Sequence, residues 1–434
     1  MSLPAGALQS VRGMNDILLD DMPYWSRLES TARRVLGSYG YGEVRVPLVE
    51  HTELFRRSIG EFTDIVEKEM YTFEDRGGDS LTLRPEITAV LVRAAISNGM
   101  LHNQKHRIWT TGPAFRYERP QKGRYRQFHQ IDCEAFGYEG PDVDAEIILV
   151  SARLLRELGV GRVSLRLNSL GLPASRALYR ERLVAYLESR FDELDEDSRR
   201  RLAGNPMRVL DSKNPALAAL IEAAPRITDH LDAESSAHFA AVRAHLDAAG
   251  LEYRVDPRLV RGLDYYTRTV FEWTTDALGA QDAVCGGGRY DGLVSQLGGE
   301  PTPAIGWGMG IERVVELMRA SGAPAIGDAP AVYLVLAGER AEAQGLALAE
   351  GWRDSLGEVG LAVNLGGGSF KSQLKRADRS GARYAVIMGD EEAGRGVVAI
   401  KSLRGDGTQQ ECLQAEVPAR LRILLGEGRV TVDG

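Results

Sequence analysis

Three consecutive glycines, Gly286-Gly287-Gly288, sit inside the run Cys285-Gly-Gly-Gly-Arg289-Tyr290-Asp291-Gly292 and constrain this chain more than any other feature. Glycine loses the most backbone freedom on folding, so three in a row need a cause: a tight hairpin, or close approach of the backbone to something else. The run lacks the GxGxxG spacing of a dinucleotide fold and the GxxxxGK[ST] of a phosphate loop. We read it as backbone approaching a ligand. Glycine is in excess throughout, with 48 in 434 residues against a usual share of about 7%.

A chain of this length is too long for one ordinary module and suggests two or three. Hydrophobic residues at 44% and charged residues at 26% exclude a disordered, collagen-like or coiled-coil chain. The formal charge of −8 excludes a general polyanion coat, so any nucleic-acid contact must use a local basic patch. Cys133, Cys285 and Cys412 lie far apart without CxxC spacing, which supports neither a disulfide framework nor a zinc site. The seven histidines form no HxxxH pattern and there is no GxSxG elbow, so zinc-enzyme and covalent-hydrolase readings gain nothing. Met1 to Val11 has neither a basic nor an apolar leader segment, and no apolar run reaches spanning length. The expectation is a soluble cytoplasmic protein with no membrane contact.

The first 150 residues read as mixed α and β. Helical spacing runs from Pro23 to Leu36, and a strand from Tyr41 to Val49 meets Pro47, which suits an edge. Two strand-like runs, 70–73 and 80–83, flank Arg76-Gly77-Gly78-Asp79 as a hairpin. Pro85 can open a helix, and 108–117 with 125–137 form a second antiparallel pair. From Pro173 to Gly250 helix formers dominate. Strand-like sequence returns at Leu259, 267–273 and Ala283, followed by a helix over 310–319 and an Ala/Gly/Pro linker over 320–331. Beyond it the order is strand 332–336, helix 340–356, strand 361–365, helix 369–380, strands 384–388 and 397–403, and helix 415–425. That alternation means a small parallel or mixed sheet covered by helices.

Several segments can carry chemistry. Residues Arg116 to Arg126 hold five positive charges against one negative across a strand–loop–strand. Arginines whose stems are fixed by a sheet present forked donors to phosphate at little entropy cost, although a basic loop alone is usually a solvated hairpin. In Gln130-Ile131-Asp132-Cys133-Glu134-Ala135, alternation puts Gln130, Asp132 and Glu134 on one face. Three polar groups beside a basic loop can surround a ligand with an ammonium or imidazole group, or simply form a half-exposed strand. Glu86 and Thr88 stand at a helix start, where capping alone accounts for them. Arg261 lies beside Gly262 and two phenols, Tyr265 and Tyr266, as a lone cation with no metal-ligand cluster near it. Arg313, in a first helical turn, opposes the helix dipole and calls for an anion. Lys371, Lys375 and Arg379 recur every four residues as a basic stripe, in a segment (328–434) with 13 Lys/Arg against 15 Asp/Glu. A stripe on a near-neutral background suits a specific RNA contact, though a charge run is most often only a solvated face.

Together these segments resemble the histidyl-tRNA synthetase family of class II aminoacyl-tRNA synthetases, over essentially the whole chain. EVRVPLVE (43–50), GPAFRYERPQKGRYRQFHQIDCEAFG (112–137) and GWGMGIERVV (306–315) resemble class II motifs 1, 2 and 3. LVRGLDYYTRTVFE (259–272) and VCGGGRYDGL (284–293) resemble the two stretches peculiar to histidine enzymes. Ile87 departs from the pattern, standing where Gly is often found. The resemblance implies an α+β catalytic domain on a six- or seven-stranded antiparallel sheet in two parts, 1–168 and 251–326. It also implies a helical insertion at 169–250 and a C-terminal α/β anticodon-binding domain at 331–427.

The implied activity is histidine–tRNA ligation, in which ATP and L-histidine form histidyl-adenylate and the histidyl group passes to tRNA(His). Arg116 and Arg261 resemble the arginines at the α-phosphate, the latter standing where other class II enzymes put a metal. Arg313 resembles the γ-phosphate contact and Arg124 a further triphosphate contact. Glu86, Thr88 and Gln130 resemble the group around the α-ammonium. Glu134 and Tyr266, with Tyr265 alongside, resemble the readers of the imidazole. Gln121 and Lys122 would face the acceptor end, and Lys371, Lys375 and Arg379 the anticodon side. ATP with Mg²⁺ is the implied co-substrate, no tightly bound cofactor or protein metal cluster is expected, and a homodimer is implied through motif 1. Two rivals weigh less. A regulatory paralogue in histidine biosynthesis typically lacks the anticodon domain and loses parts of the histidine motifs, which this chain keeps. A stand-alone uncharged-tRNA sensor needs an effector domain, and no segment is left for one.

Overall fold

The computed structural model describes residues 8–60, 63–121, 123–212, 214–278, 283–323, 329–405 and 407–426. The chain divides into two compact units, Met1–Ile326 and Gly327–Gly434. The strands of the first unit are β1 (Gly42–Glu43), β2 (Val49–His51), β3 (Tyr71–Glu74), β4 (Ser80–Leu83), β5 (His106–Phe115), β6 (Gln127–Phe136), β7 (Val163–Ser169), β8 (Arg254–Val255), β9 (Thr267–Thr275), β10 (Ala283–Arg289) and β11 (Ala304–Gly310). Eight of them form one sheet in the order β1-β5-β6-β11-β10-β9-β7-β8. The six central strands are antiparallel, while β1 and β8 add two-residue parallel edges. The implied six or seven antiparallel strands are therefore six, with a short parallel strand on each side.

Three expectations change. The single strand over 41–49 is split: β1 pairs with β5, but β2 pairs with β4 in a separate three-stranded sheet. Pro47 stands in the crossing, where a missing N–H suits departure from a ladder. Leu259 lies in no strand; its carbonyl accepts from Asn168 Nδ2 at 3.0 Å and its side chain is buried as a loop anchor. Gly286-Gly287-Gly288 is neither a turn nor open to a ligand on every side, since all three lie within β10. A Cβ on Gly287 would fall 1.9 Å from the Gly306 carbonyl of the next strand, so neighbouring backbone sets that approach. The 71–83 hairpin is as expected, with the Asp75 carboxylate accepting the Gly77 and Asp79 N–H groups across the turn.

The helices are α1 (Met22–Ser38), α2 (Thr52–Ile59), α3 (Thr88–Ser97), α4 (Pro141–Glu157), α5 (Pro173–Glu188), α6 (Glu196–Gly204), α7 (Ala218–Glu222), α8 (Ala233–Ala248), α9 (Leu293–Gln296) and α10 (Ile311–Ala320). One face of the large sheet is covered by α1, α4, α8 and α10, where Leu28, Ile147, Val242 and Met318 share a core with Ile131 and Cys133. The other face carries Ile87, the residue before α3, Leu91 of α3, and Tyr179 and Leu183 of α5. Alternation along β6 thus sends Ile131, Cys133 and Ala135 into the first core and turns Gln130, Asp132 and Glu134 to the opposite face. The helix-rich segment from Pro173 contributes α5 to α8.

In the second unit, β12 (Val332–Ala337), β13 (Leu361–Val363), β14 (Tyr384–Gly389), β15 (Val397–Ser402) and β16 (Gln409–Leu413) form a mixed sheet in the order β13-β12-β14-β15-β16. The helices are α11 (Glu339–Leu356), α12 (Phe370–Arg379), α13 (Asp390–Arg395) and α14 (Val417–Leu425). Trp352 and Leu421 of α11 and α14 pack on one face, and Ala377 of α12 on the other. The sequence pattern marks neither α13 nor β16. The latter is an edge strand whose Gln409, Gln410 and Glu411 are exposed, so no apolar alternation announces it.

Where the large sheet meets α4, Arg289 and Asp144 form an ion pair with both side chains wholly buried. Arg289 also donates to the carbonyls of Tyr138 and Gly140 and to Asp291, at 3.0–3.1 Å, while His238 of α8 bonds Asp144 at 2.9 Å. Removing one partner of a buried pair leaves an uncompensated charge. Arg289→Met should therefore cost about 3–5 kcal/mol, read as a fall in the urea midpoint. An unchanged midpoint would show that the pair contributes nothing to stability.

Candidate active site

The site lies on the sheet face that β6 makes polar, and glycine makes room for it. Gly306 and Gly308 of β11 face Glu134 and Asp132 across the ladder. A Cβ on Gly306 would fall on the Glu134 carboxylate, and one on Gly308 would sit 2.7 Å from Gln130 Nε2. Trp307 and Met309, which alternate with them, turn into the core. Gly306 thus clears space for Glu134, and Gly308 for Gln130 and Asp132.

Glu134 is fully buried. Thr88 Oγ1, in the first residue of α3, donates to one carboxylate oxygen at 2.7 Å, and the Tyr290 hydroxyl donates to the other at 2.5 Å. Burial pushes its pKa up to about 8, against the pull of those two hydroxyls. Glu86 is also buried and accepts the Ala89 N–H at 2.9 Å, as a helix start requires. Burial lifts it to about 7. Burial also raises Asp132 well above its ordinary value, with the charges of Glu134 and Glu86 adding to the effect. Gln130 Oε1 and Asp132 Oδ2 are buried without a hydrogen-bond partner. Unpaired buried acceptors are costly and need a reason. A ligand cation set among three carboxyls would satisfy them.

The other end of the site is basic. Arg116 follows β5, donates Nε–H to the Pro85 carbonyl at 2.8 Å, and lies 5.3 Å from the centre of the Phe128 ring. Arg124 pairs with Glu118. Arg313, in the first turn of α10, donates to the Gly123 carbonyl at 2.9 Å and to the Ala283 carbonyl. The compensating anion expected there is replaced by carbonyl oxygens. These residues, with Gln130 and Arg261, line a cavity of about 190 Å³. A larger cleft of about 1280 Å³ also reaches Arg116 and Arg261.

Arg261 is not a lone cation: it forms an ion pair with Glu272 of β9. Burial is the largest influence and works against its charge, but Glu272 together with Tyr266, Cys285 and Tyr265 more than offsets it, so its pKa is raised. The guanidinium lies over Gly286, where a Cβ would come within 2.8 Å of it. The Tyr265 and Tyr266 rings stand 4.7 Å apart and Tyr290 lies 5.6 Å from Tyr265, giving the site an aromatic wall.

The structure thus brings together Glu86, Thr88, Arg116, Arg124, Gln130, Glu134, Arg261, Tyr265, Tyr266 and Arg313. Thr88 bonds Glu134, not a neighbour of Glu86. The alternation along β6 already sets Asp132 beside Gln130 and Glu134, although the resemblance assigns it no role; the structure buries it with them. Sequence reasoning missed Tyr290, which follows the glycine run, and Glu272, whose pairing with Arg261 leaves no signal in spacing. Gln121 is exposed and forms a β-bridge with Arg124, while Lys122 lies outside the described residues. In the second unit Lys371, Lys375 and Arg379 are exposed on α12. That helix is fixed by buried Gln373, which accepts from the Leu336 N–H at 2.9 Å and donates to the Leu336 carbonyl. Among the described residues no three His, Cys, Asp or Glu side chains could hold a metal, and no helix is long and apolar enough to cross a membrane.

A site with acids at one end and arginines at the other takes a ligand, or a pair, that is cationic at one end and polyanionic at the other. Comparison with known proteins points the same way. The family model described as histidyl-tRNA synthetase matches residues 13–314, and that described as anticodon binding domain matches 331–422. The histidine–tRNA ligase of Halorhodospira halophila is 58% identical over 419 residues, covering 96% of this chain and 99% of that protein. The apo histidyl-tRNA synthetase of S. aureus superposes with a TM-score of 0.81 at 34% identity, over 96% of this chain and 100% of that one. A Bacillus halodurans C protein described as an ATP phosphoribosyltransferase regulatory subunit/histidyl-tRNA synthetase shares the fold, with a TM-score of 0.63 at 20% identity over 88% of this chain and 98% of that one.

The raised Glu134 carboxyl has a consequence for the empty protein. A carboxyl whose pKa rises on folding from its ordinary 4.5 to about 8 contributes stability below 4.5 that is lost as pH rises through 8. Glu134→Gln, which keeps the shape but removes the charge and turns one of the two hydrogen bonds round, because the amide N–H donates where a carboxylate oxygen accepted, should raise the melting temperature above pH 8 and leave it almost unchanged near pH 4.5. The expected gain is about 2–4 °C per kcal/mol. A variant that melts lower than the parent at pH 8.5 would contradict the burial argument.

Proposed function

The chain belongs to the histidyl-tRNA synthetase family, and on that premise we propose how its residues activate L-histidine with ATP and charge tRNA(His). The observation that carries the reading is the polarity of the site: three buried carboxyls at one end, four arginines at the other. The α-ammonium of histidine sits against Glu86, Asp132 and Gln130, meeting the acceptors that lack protein partners. The imidazole reaches Glu134, with Tyr266 opposite and Tyr265 alongside. Thr88 and Tyr290 hold the Glu134 carboxylate in place. A wrong side chain would leave these buried groups unpaired, which is how a polar pocket rejects isosteres.

The substrate carboxylate attacks the α-phosphorus of ATP; a C–O–P bond forms, the bond to the bridging oxygen breaks and pyrophosphate leaves. The nucleophile is already an anion, so the step needs position and charge neutralisation rather than a proton shuttle. Arg116 and Arg261 stand at the α-phosphate. Arg313 and Arg124 hold the rest of the triphosphate. Their present partners, Glu272, Glu118 and three carbonyls, keep the guanidinium groups in place before substrate arrives. ATP enters as its Mg²⁺ complex, the ion being carried by the triphosphate. A ribose hydroxyl of the terminal nucleotide then attacks the histidyl carbonyl and AMP leaves.

We read 1–168 and 251–326 as the catalytic domain, 169–250 as the insertion and 331–427 as the anticodon-binding domain. Gln121 and Lys122 face the acceptor end, and Lys371, Lys375 and Arg379 the anticodon side. The protein works in the cytoplasm as a homodimer. Leu48, Val49 and Phe73 expose apolar surface around the small sheet, which suits a second copy.

Two measurements test this. Arg261→Ala should lose a hundredfold or more in ATP–pyrophosphate exchange, about 2.7–4 kcal/mol, with histidine binding retained. Near-normal exchange would sink the assignment. Replacing Lys371, Lys375 and Arg379 with Ala should weaken tRNA charging by on the order of 1 kcal/mol per contact and flatten its salt dependence. Exchange, which needs no RNA, should stay as it was; an equal loss in both assays would mean that the stripe supports the fold.

A further inference from the structure

The segment Arg261–Tyr266 carries a cation and two phenols of the site but belongs to no helix or strand. Its position is imposed from outside. On one side the Asp264 N–H donates to the Ile59 carbonyl at 3.4 Å. The Asp264 carboxylate fills the space beside Gly60, where a Cβ would meet it at 2.7 Å and where φ is +100°. A side chain at Gly60 would therefore be both strained and blocked.

The remaining fixings come from the helical insertion. Arg176, in the first turn of α5, donates to the Tyr266 carbonyl at 2.7 Å. Asn205, directly after α6, donates Nδ2–H to Asp264 Oδ1 at 2.7 Å. The segment's exit is held as well. Arg268 has φ +49°, a conformation that costs a side-chain-bearing residue, at the point where the register between β9 and β10 shifts. Its side chain pairs with Glu234 of α8, and its backbone exchanges hydrogen bonds with Leu170 and Gly171 at the root of the insertion (2.7 and 2.9 Å). Burial disfavours the Arg176 charge, with Asp264 opposing that cost. Apolar packing would join the two bodies as firmly. A half-buried guanidinium on one named carbonyl adds direction, and direction is what Arg261 and Tyr266 need.

We infer that the insertion is part of the amino-acid activation machinery, with Arg176 and Asn205 as positioning residues that fasten the 261–266 segment and thereby set Arg261 and Tyr266. This task involves no RNA. The inference rests on the site reading given above. It assigns the insertion a role in the first half-reaction, where tRNA is absent.

The test is tRNA-free ATP–pyrophosphate exchange by the full-length protein, with histidine and ATP varied separately, beside thermal melting. Arg176→Met and Asn205→Ala should each lower kcat or raise KM for histidine by on the order of tenfold to a hundredfold, the range for small misplacement of reacting groups. KM for ATP and the melting temperature should hold. Arg176→Lys should recover much of the loss, because an ammonium can still donate to a single carbonyl. Unchanged exchange kinetics in the folded variants would overturn the inference, as would losses that track only the folded fraction. Arg261→Ala in the same assay separates the two levels. If it is inactive while Arg176→Met is normal, the positioning role alone falls; if it is itself normal, the site reading falls first.

Discussion

Several distant parts of this structure meet at one constraint, the Glu134 carboxyl held inside the protein interior. A carboxylate taken out of water is expensive unless hydrogen bonds replace its hydration. Two donors do so here, and they come from distant parts of the chain: Thr88 at the start of α3 and Tyr290 at the end of β10. A third condition is space, supplied by Gly306 on the neighbouring strand. Helix start, strand end and sheet register must all be correct for one side chain to be tolerated. The fold and the site are therefore specified by the same contacts.

The basic end follows a different logic. Its guanidinium groups are engaged by the protein itself: Arg313 by two carbonyls, Arg116 by one, Arg261 and Arg124 by carboxylates. Lysine could supply the charge but not the fixed fork that lets one edge bond the protein while another faces a phosphate. In the site reading proposed above, acids at one end and arginines at the other give each charged part of histidine and ATP one favourable place, so that the carboxylate and the α-phosphorus would meet by exclusion.

Much of the fold was legible in the sequence wherever one face of an element is buried. The alternation along 130–135 assigned both faces of β6 correctly, because Ile131, Cys133 and Ala135 do enter a core. The strand–helix order beyond the linker was equally plain. Failures came where partners are remote or exposure is high. Nothing in EVRVPLVE shows that its two ends join different sheets. Nothing local announces that Arg261 finds Glu272, or that Tyr290 reaches back 156 residues to Glu134. The glycine run was marked as a place of close approach, and it is one, but neighbouring strands and the Arg261 side chain make the approach. Helix α4 offered ordinary signals, a proline in its first turn followed by Asp142 and Asp144, and could have been assigned.

The run from Cys285 to Asp291 shows why such a stretch behaves as one unit. Gly286 gives the Arg261 guanidinium its place, and Gly287 lets β10 and β11 close on each other. Arg289 pairs with the buried Asp144 of α4, which anchors the end of the strand. The next residue, Tyr290, donates to Glu134. Asp291 completes the joint, accepting both from Arg289 and from the Ala304 N–H that begins β11, at 3.0 Å each. Clearance, anchorage and donation thus fall on β10 and the two residues that follow it. Arg289 and Tyr290 are joined by one peptide bond, so the anchor on Asp144 and the donor to Glu134 are neighbours, even though the two guanidinium-to-acid systems, on Asp144 and on Glu272, share no atom. Stability and specificity are coupled here by adjacency in sequence rather than by contact in space.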